Sequence, residues 1–119
     1  MTQLKKSTTS IAKEVVLNFL NAINEENFEA AKKHAQSDMK FDGVLGQRDS
    51  AEAYFKDMEK MKMKYDIKKA FADGDDVCIL SDITMGNVTM FTCSWYRLDG
   101  GKIKSLKVVF DPRPALEKK

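Results

Sequence analysis

Any chemistry in this chain must come from a short list of side chains. There is one histidine, His34, and there are two cysteines, Cys78 and Cys93. An imidazole is the group whose ordinary pKa lies near neutrality. Acid–base work by His34 would need a carboxylate or hydroxyl partner, and its place at the end of a helical segment suits an interaction with the helix dipole. The cysteines have no CxxC or Cys/His spacing, so no metal and no cofactor is expected. They read as buried free thiols acting as small apolar residues. Asp42 stands in a turn beside Gly43, where its carboxylate would bond local backbone N–H groups. To act as a general base it would need desolvation that lifts its pKa above about 3.9. The other candidates are the hydroxyls of Tyr54, Ser81, Thr92, Ser94 and Tyr96.

Four of those hydroxyls fall in the stretch from Val77 to Asp111, which reads as two successive β-hairpins. The runs 76–85 and 88–98 are rich in β-branched and aromatic residues, and Gly86-Asn87 between them suits a two-residue primed turn. That loop sets Met85 opposite Val88, Ile83 opposite Met90, Ser81 opposite Thr92, Ile79 opposite Ser94 and Val77 opposite Tyr96, all on one face. The other face carries Cys78, Leu80, Asp82 and Thr84 opposite Trp95, Cys93, Phe91 and Thr89. For the second hairpin a three-residue loop, Asp99-Gly100-Gly101, is preferred. It brings Leu106, Val108 and Phe110 onto the Tyr96 face, whereas a Gly100-Gly101 loop would bring Ile103, Ser105 and Lys107. Both faces are substantially apolar, so neither reads as a solvated face. Helices are expected over the inner face, and a second copy of the chain over Leu80, Phe91, Cys93 and Trp95.

The helices lie upstream. Ile11, Ala12, Val15, Val16, Phe19, Leu20 and Ile23 recur at three- and four-residue spacing, an apolar stripe on a helix that follows a frayed polar start at 1–8. Asn24 is placed to cap a second, short helix over roughly 25–35. A brief extended piece at 38–41 and a turn at 42–46 lead to a third helix, capped by Asp49 or Ser50 and striped by Ala51, Tyr54, Phe55, Met58 and Met61. Met58, Met61 and Met63 read as core filler, with an adaptable binding surface as the other reading. A strand over 65–71 then enters the hairpins. The order predicts one α+β domain with a curved antiparallel sheet wrapped on helices, its core at about 9–114.

With 119 residues, the chain has room for one domain and a real core. Twenty basic residues against 18 acidic ones give a net charge of +2. The densest basic group, Lys60, Lys62, Lys64, Lys68 and Lys69, reads as a solvated helix end and strand start, so no nucleic acid is expected as a partner. No stretch approaches the roughly 20 apolar residues of a membrane span, and the first ten residues lack the apolar run of a signal peptide. A cytoplasmic protein is expected.

Particular residues carry a family resemblance over about 11–114. They are Phe19-Leu20-Asn21-Ala22-Ile23-Asn24 followed by Asn27-Phe28-Glu29-Ala30-Ala31, then Phe41-Asp42-Gly43, Gly74-Asp75-Asp76-Val77, and Tyr96 through Ile103, with the closing Val109-Phe110-Asp111-Pro112-Arg113-Pro114. In these the chain resembles the nuclear transport factor 2-like superfamily, within it the SnoaL-like and ketosteroid-isomerase-like proteins. The resemblance implies a cystatin-like cone: a strongly bent sheet, helices across its open side, an internal pocket, and commonly a dimer through the outer sheet face. It implies a small apolar ligand contacted by Phe19, Tyr54, Ile79, Ser81, Met90, Thr92, Ser94, Leu106, Val108 and Phe110. The isomerase base position falls on Asp42, and Tyr96 is the candidate hydrogen-bond donor. The isomerase tyrosine and acid positions hold Phe19 and Ser94, so two of three catalytic parts are absent. The Asp-Arg-Asp relay of the superfamily's epoxide hydrolases finds no counterpart on the inner strands, since Arg97 and Asp82 alternate outward. One fold hosts many functions. The functions expected are therefore a non-catalytic pocket, an isomerase, cyclase or dehydratase using Asp42 as base, or an association module using the outer face.

Overall fold

The computed structural model describes residues 8–116, so most of the polar start falls outside the described residues. Helix α1 (Thr8–Asn24) buries Ala12, Val16, Phe19, Leu20 and Ile23 along the expected stripe and leaves Ile11 exposed. It ends where Glu26 takes a left-handed φ of 58°. The cap of the next helix is Asn27 rather than Asn24. Its side chain accepts from the Ala30 N–H at 3.2 Å and opens α2 (Phe28–Lys32), five residues where about eleven were expected. The sequence from Ala35 is taken instead by a strand, because the Ile103 N–H donates to the carbonyl of the preceding His34 at 2.8 Å and draws the chain into the sheet. Asn24 is thereby free for other work. Its amide donates to the Tyr65 carbonyl at 2.9 Å and accepts from the Tyr65 N–H at 2.7 Å, fastening α1 to an edge strand.

Strand β1 (Ala35–Asp42) is twice the length read from the sequence, and β2 (Gln47–Arg48) is a short return strand that the sequence reading lacked. Ser50 caps α3 (Ala51–Met61), accepting from the Ala53 N–H at 3.2 Å. Strands β3 (Lys64–Asp73), β4 (Asp76–Met85), β5 (Val88–Asp99) and β6 (Lys102–Phe110) follow, with a single turn of helix, α4 (Arg113–Leu116), at the end. The sheet order is β2-β1-β6-β5-β4-β3 in a curved, unclosed α+β arrangement. One pair departs from the expected antiparallel sheet: β1 runs parallel to β6.

The β4–β5 register is the one that Gly86-Asn87 dictates, pair for pair from Met85↔Val88 to Val77↔Tyr96. The β5–β6 connection differs at its tip. Asp99 pairs with Lys102, so the loop is the two residues Gly100-Gly101, with φ of 62° and 81°, the left-handed pair that a type I′ turn requires. A bulge follows, since Leu98 pairs with Ile103 but Arg97 with Ser105. The extra residue restores the expected partners, Leu106 opposite Tyr96, Val108 opposite Ser94 and Phe110 opposite Thr92. It also lets Ile103 and Leu106 both face inward and be buried.

Candidate functional site

The inner face of the sheet divides into a solid half and a hollow half. In the solid half α1 lays Phe19 against the strands, and its ring centroid lies 6.1 Å from Tyr96, 6.0 Å from Phe55 and 6.4 Å from Tyr54. Phe19, Ile79, Ser81, Ser94, Tyr96 and Leu106 were expected to contact a ligand. All six are buried in this packed region and none of them lines the cavity. The reason is steric: the Phe19 ring fills the space in which a ligand would have to lie. Ser81 and Thr92 bond each other there, Oγ to Oγ1 at 3.2 Å.

The hollow half lies where α1 no longer covers the sheet. A cavity of about 350 Å³ opens between α3, the 43–46 turn and the far ends of the strands. Tyr54, Met90, Thr92, Val108 and Phe110 line it, five of the residues expected at the ligand. Sequence reasoning missed Phe41, Arg48, Asp57 and Tyr65 and set Met58, Met61 and Met63 aside as core filler; all seven also line the cavity. A helical signal for part of this wall was present, since Tyr54, Asp57, Met58 and Met61 recur at three- and four-residue spacing. The turn over the cavity depends on one glycine. A Cβ on Gly43 would lie 2.8 Å from the Phe41 ring, so a larger residue there would displace the ring that meets Tyr54 at 5.3 Å.

Asp42 is not at the cavity rim. Phe41 pairs with Leu106 and Arg48 on the inward side, so Asp42, the next residue, must point outward with Lys107 and Gln47. There its carboxylate accepts from the Gln47 side chain at 3.2 Å and pairs with Lys107 at 3.6 Å. The carboxylate that does line the cavity is Asp57, held by the Arg48 Nε at 2.7 Å. Arg48 also donates through Nη1 to the Gln47 carbonyl at 2.7 Å. Lys60 stands at the same mouth.

The tyrosines are unusual in their bonding. The hydroxyls of Tyr54 and Tyr96, and Ser94 Oγ, are buried without a hydrogen-bond partner among the described residues. Tyr65 lies near Tyr54, and Ser94 near Tyr96, close enough to influence ionisation but outside hydrogen-bonding geometry. Burial pushes the phenols of Tyr54 and Tyr96 well above the ordinary value and that of Tyr65 up to about 12. His34 stands past the end of α2, away from the cavity, and burial lowers its pKa. That direction is opposite to what a favourable helix dipole would produce.

On the outer face Phe71, Phe91, Trp95 and Val109 remain exposed, Phe91 by 58%, around the half-buried Cys78, Leu80 and Cys93. The two thiols are 3.3 Å apart, and burial together with Cys93 pushes the Cys78 thiol up to about 11. Asp76 accepts from the Trp95 indole at 3.0 Å and pairs with Arg97 at 3.2 Å, with the guanidinium over the indole ring.

Among the described residues no helix is long and apolar enough to cross a membrane, and no cluster of three metal-ligating side chains occurs. A family profile for the SnoaL-like domain matches residues 16–106. The chain is similar in structure to an NTF2-like protein of unknown function from Cytophaga hutchinsonii, with 43% identity, 97% of each chain covered and a TM-score of 0.87. It shares its fold with a putative ketosteroid isomerase from Kribbella flavida, at 10% identity, 88% and 81% coverage and a TM-score of 0.81. It also shares it with an LEH-like epoxide hydrolase from M. tuberculosis, at 21% identity, 92% and 89% coverage and a TM-score of 0.78. A search of curated proteins finds no match.

Proposed function

The chain belongs to the SnoaL-like domain family, and on that premise we propose that it is a binding protein whose cavity takes a small, mostly apolar molecule. The observation that carries this reading is the cavity itself: about 350 Å³ walled mainly by aromatic, aliphatic and methionine side chains. That volume is at the lower end of small-molecule sites. The catalytic alternative, proton transfer in an isomerisation, cyclisation or dehydration, loses its expected base, because Asp42 is on the opposite face of the sheet from any occupant. Tyr96, its expected donor, is enclosed by core. Native mass spectrometry of the protein purified from cells tests the binding reading. An adduct that disappears on denaturation supports it; a bare mass, with no thermal stabilisation by any of a panel of apolar compounds, refutes it.

The outer face carries the second part of the proposal. Leu80, Phe91, Cys93 and Trp95, with Phe71 and Val109, form a continuous apolar surface on the sheet, suited to a second copy of the chain. Sedimentation at micromolar concentration should show a dimer that Phe91→Lys dissociates. A monomeric wild-type protein would remove the homodimer and leave the face for a different protein. The free, half-buried thiols on this surface favour a reducing compartment, in keeping with a cytoplasmic location.

A further inference from the structure

The cavity mouth carries an excess of positive charge. Its charged lining residues are Arg48, Asp57 and Lys60, and the single carboxylate is already bound to the Arg48 Nε. The Arg48 Nη2 and the Lys60 ammonium have no acceptor among the described residues. Two cations against one anion leave the mouth one positive charge in excess, immediately beside an apolar wall. A neutral apolar occupant would gain nothing from that charge, while a cationic one would be repelled. A monoanion would balance it, and the planar guanidinium suits a carboxylate better than a point charge would.

The interior fixes which end of such an occupant goes where. A carboxylate there would be costly to desolvate, so the charge stays at the mouth. The wall behind the mouth includes Met58, Met61, Met63, Met85 and Met90. Methionine is flexible and adapts its shape, so this wall suits a body that is itself flexible.

We infer that the occupant is an amphipathic carboxylic acid: its carboxylate at the mouth against Arg48 and Lys60, and a flexible apolar chain along the methionine wall. This rests on the binding reading above, and its test separates the two. Calorimetric titration at low salt compares octanoate, octanol and octylamine on the wild-type protein. Octanoate should bind about fivefold more tightly than octanol, the size of an exposed charge contact, and octylamine should bind weakest. Lys60→Glu, at an exposed position, should reverse the order of octanoate and octylamine. Equal binding of octanoate and octanol, unchanged in Lys60→Glu, overturns the acid and leaves the binding reading intact. Failure of all three probes to bind overturns the cavity reading and the inference with it.

Discussion

Raising the pH should unfold this protein through its tyrosines, and the size of the effect follows from their burial. The chain has three tyrosines, and Tyr54, Tyr65 and Tyr96 are respectively 3%, 8% and 0% exposed. In the unfolded chain each phenol ionises near pH 10. In the folded protein burial holds Tyr65 up to about 12 and keeps the other two well above the ordinary value. Below pH 10 all three are protonated in both states, so they contribute no pH dependence. Above it the unfolded chain releases protons that the folded one retains, and stability falls. Tyr65 alone removes roughly 2–3 kcal/mol as pH rises from 10 through its folded value, and the three together give a slope of up to about 4 kcal/mol per pH unit. Against a total of about 5–15 kcal/mol for a domain, that slope places unfolding above about pH 11. Tyrosinate absorbance and far-ultraviolet circular dichroism, followed on one sample, should change together in a single transition. One residue's worth of tyrosinate appearing near pH 10 with the fold intact would refute the burial argument.

Two further perturbations test particular contacts. Asn24→Ala removes both partners of the Tyr65 backbone at the β3 edge and should cost about 1–3 kcal/mol in urea denaturation. A loss below about 0.5 kcal/mol would show that water replaces the side chain at no penalty. Tyr96→Phe deletes a buried hydroxyl that has no partner among the described residues and should leave the urea midpoint unchanged or raise stability by up to about 1 kcal/mol. A loss of more than about 1 kcal/mol would reveal a bonded hydroxyl.

The sheet was legible wherever a turn fixed its own register. Gly86-Asn87 leaves one way to pair β4 with β5, and every pair followed from it. The β5–β6 hairpin shows the limit of such reasoning. Facing Leu106 with Tyr96 required one extra residue, and the sequence reading placed it in the loop. The fold places it in a bulge beside Arg97 and Leu98, because Ile103 can then be buried too. Counting apolar residues on a face recovers the pairing but not the position of the irregularity. Helix α2 failed for a different reason. Its residues are good helix formers, but His34 and Ala35 gain sheet hydrogen bonds from β6, a partner far along the chain. The same long-range origin explains Asn24, whose amide could cap a helix nearby and instead meets a strand 41 residues away.

The site was half legible, and the division follows the shape of the fold. Residues that face inward on a strand can be read from alternation, but alternation does not say whether a helix side chain already occupies the space before them. Phe19 settles that for Tyr96, and its absence further along the sheet leaves Met90, Val108 and Phe110 facing a void. Asp42 shows how small the margin is, because extending β1 by a single residue past Phe41 turns its carboxylate from the inner face to the outer one. The two halves are under different constraints as a result. Around Phe19 a change of volume disturbs aromatic contacts on three sides and costs folding stability. Around the cavity, Met61, Met63 and Met85 are only partly buried and border empty space, so exchanging them alters the shape offered to a ligand with little strain in the core. A fold built this way can change what it binds by substitution at α3 and the strand ends while α1 keeps the sheet in place.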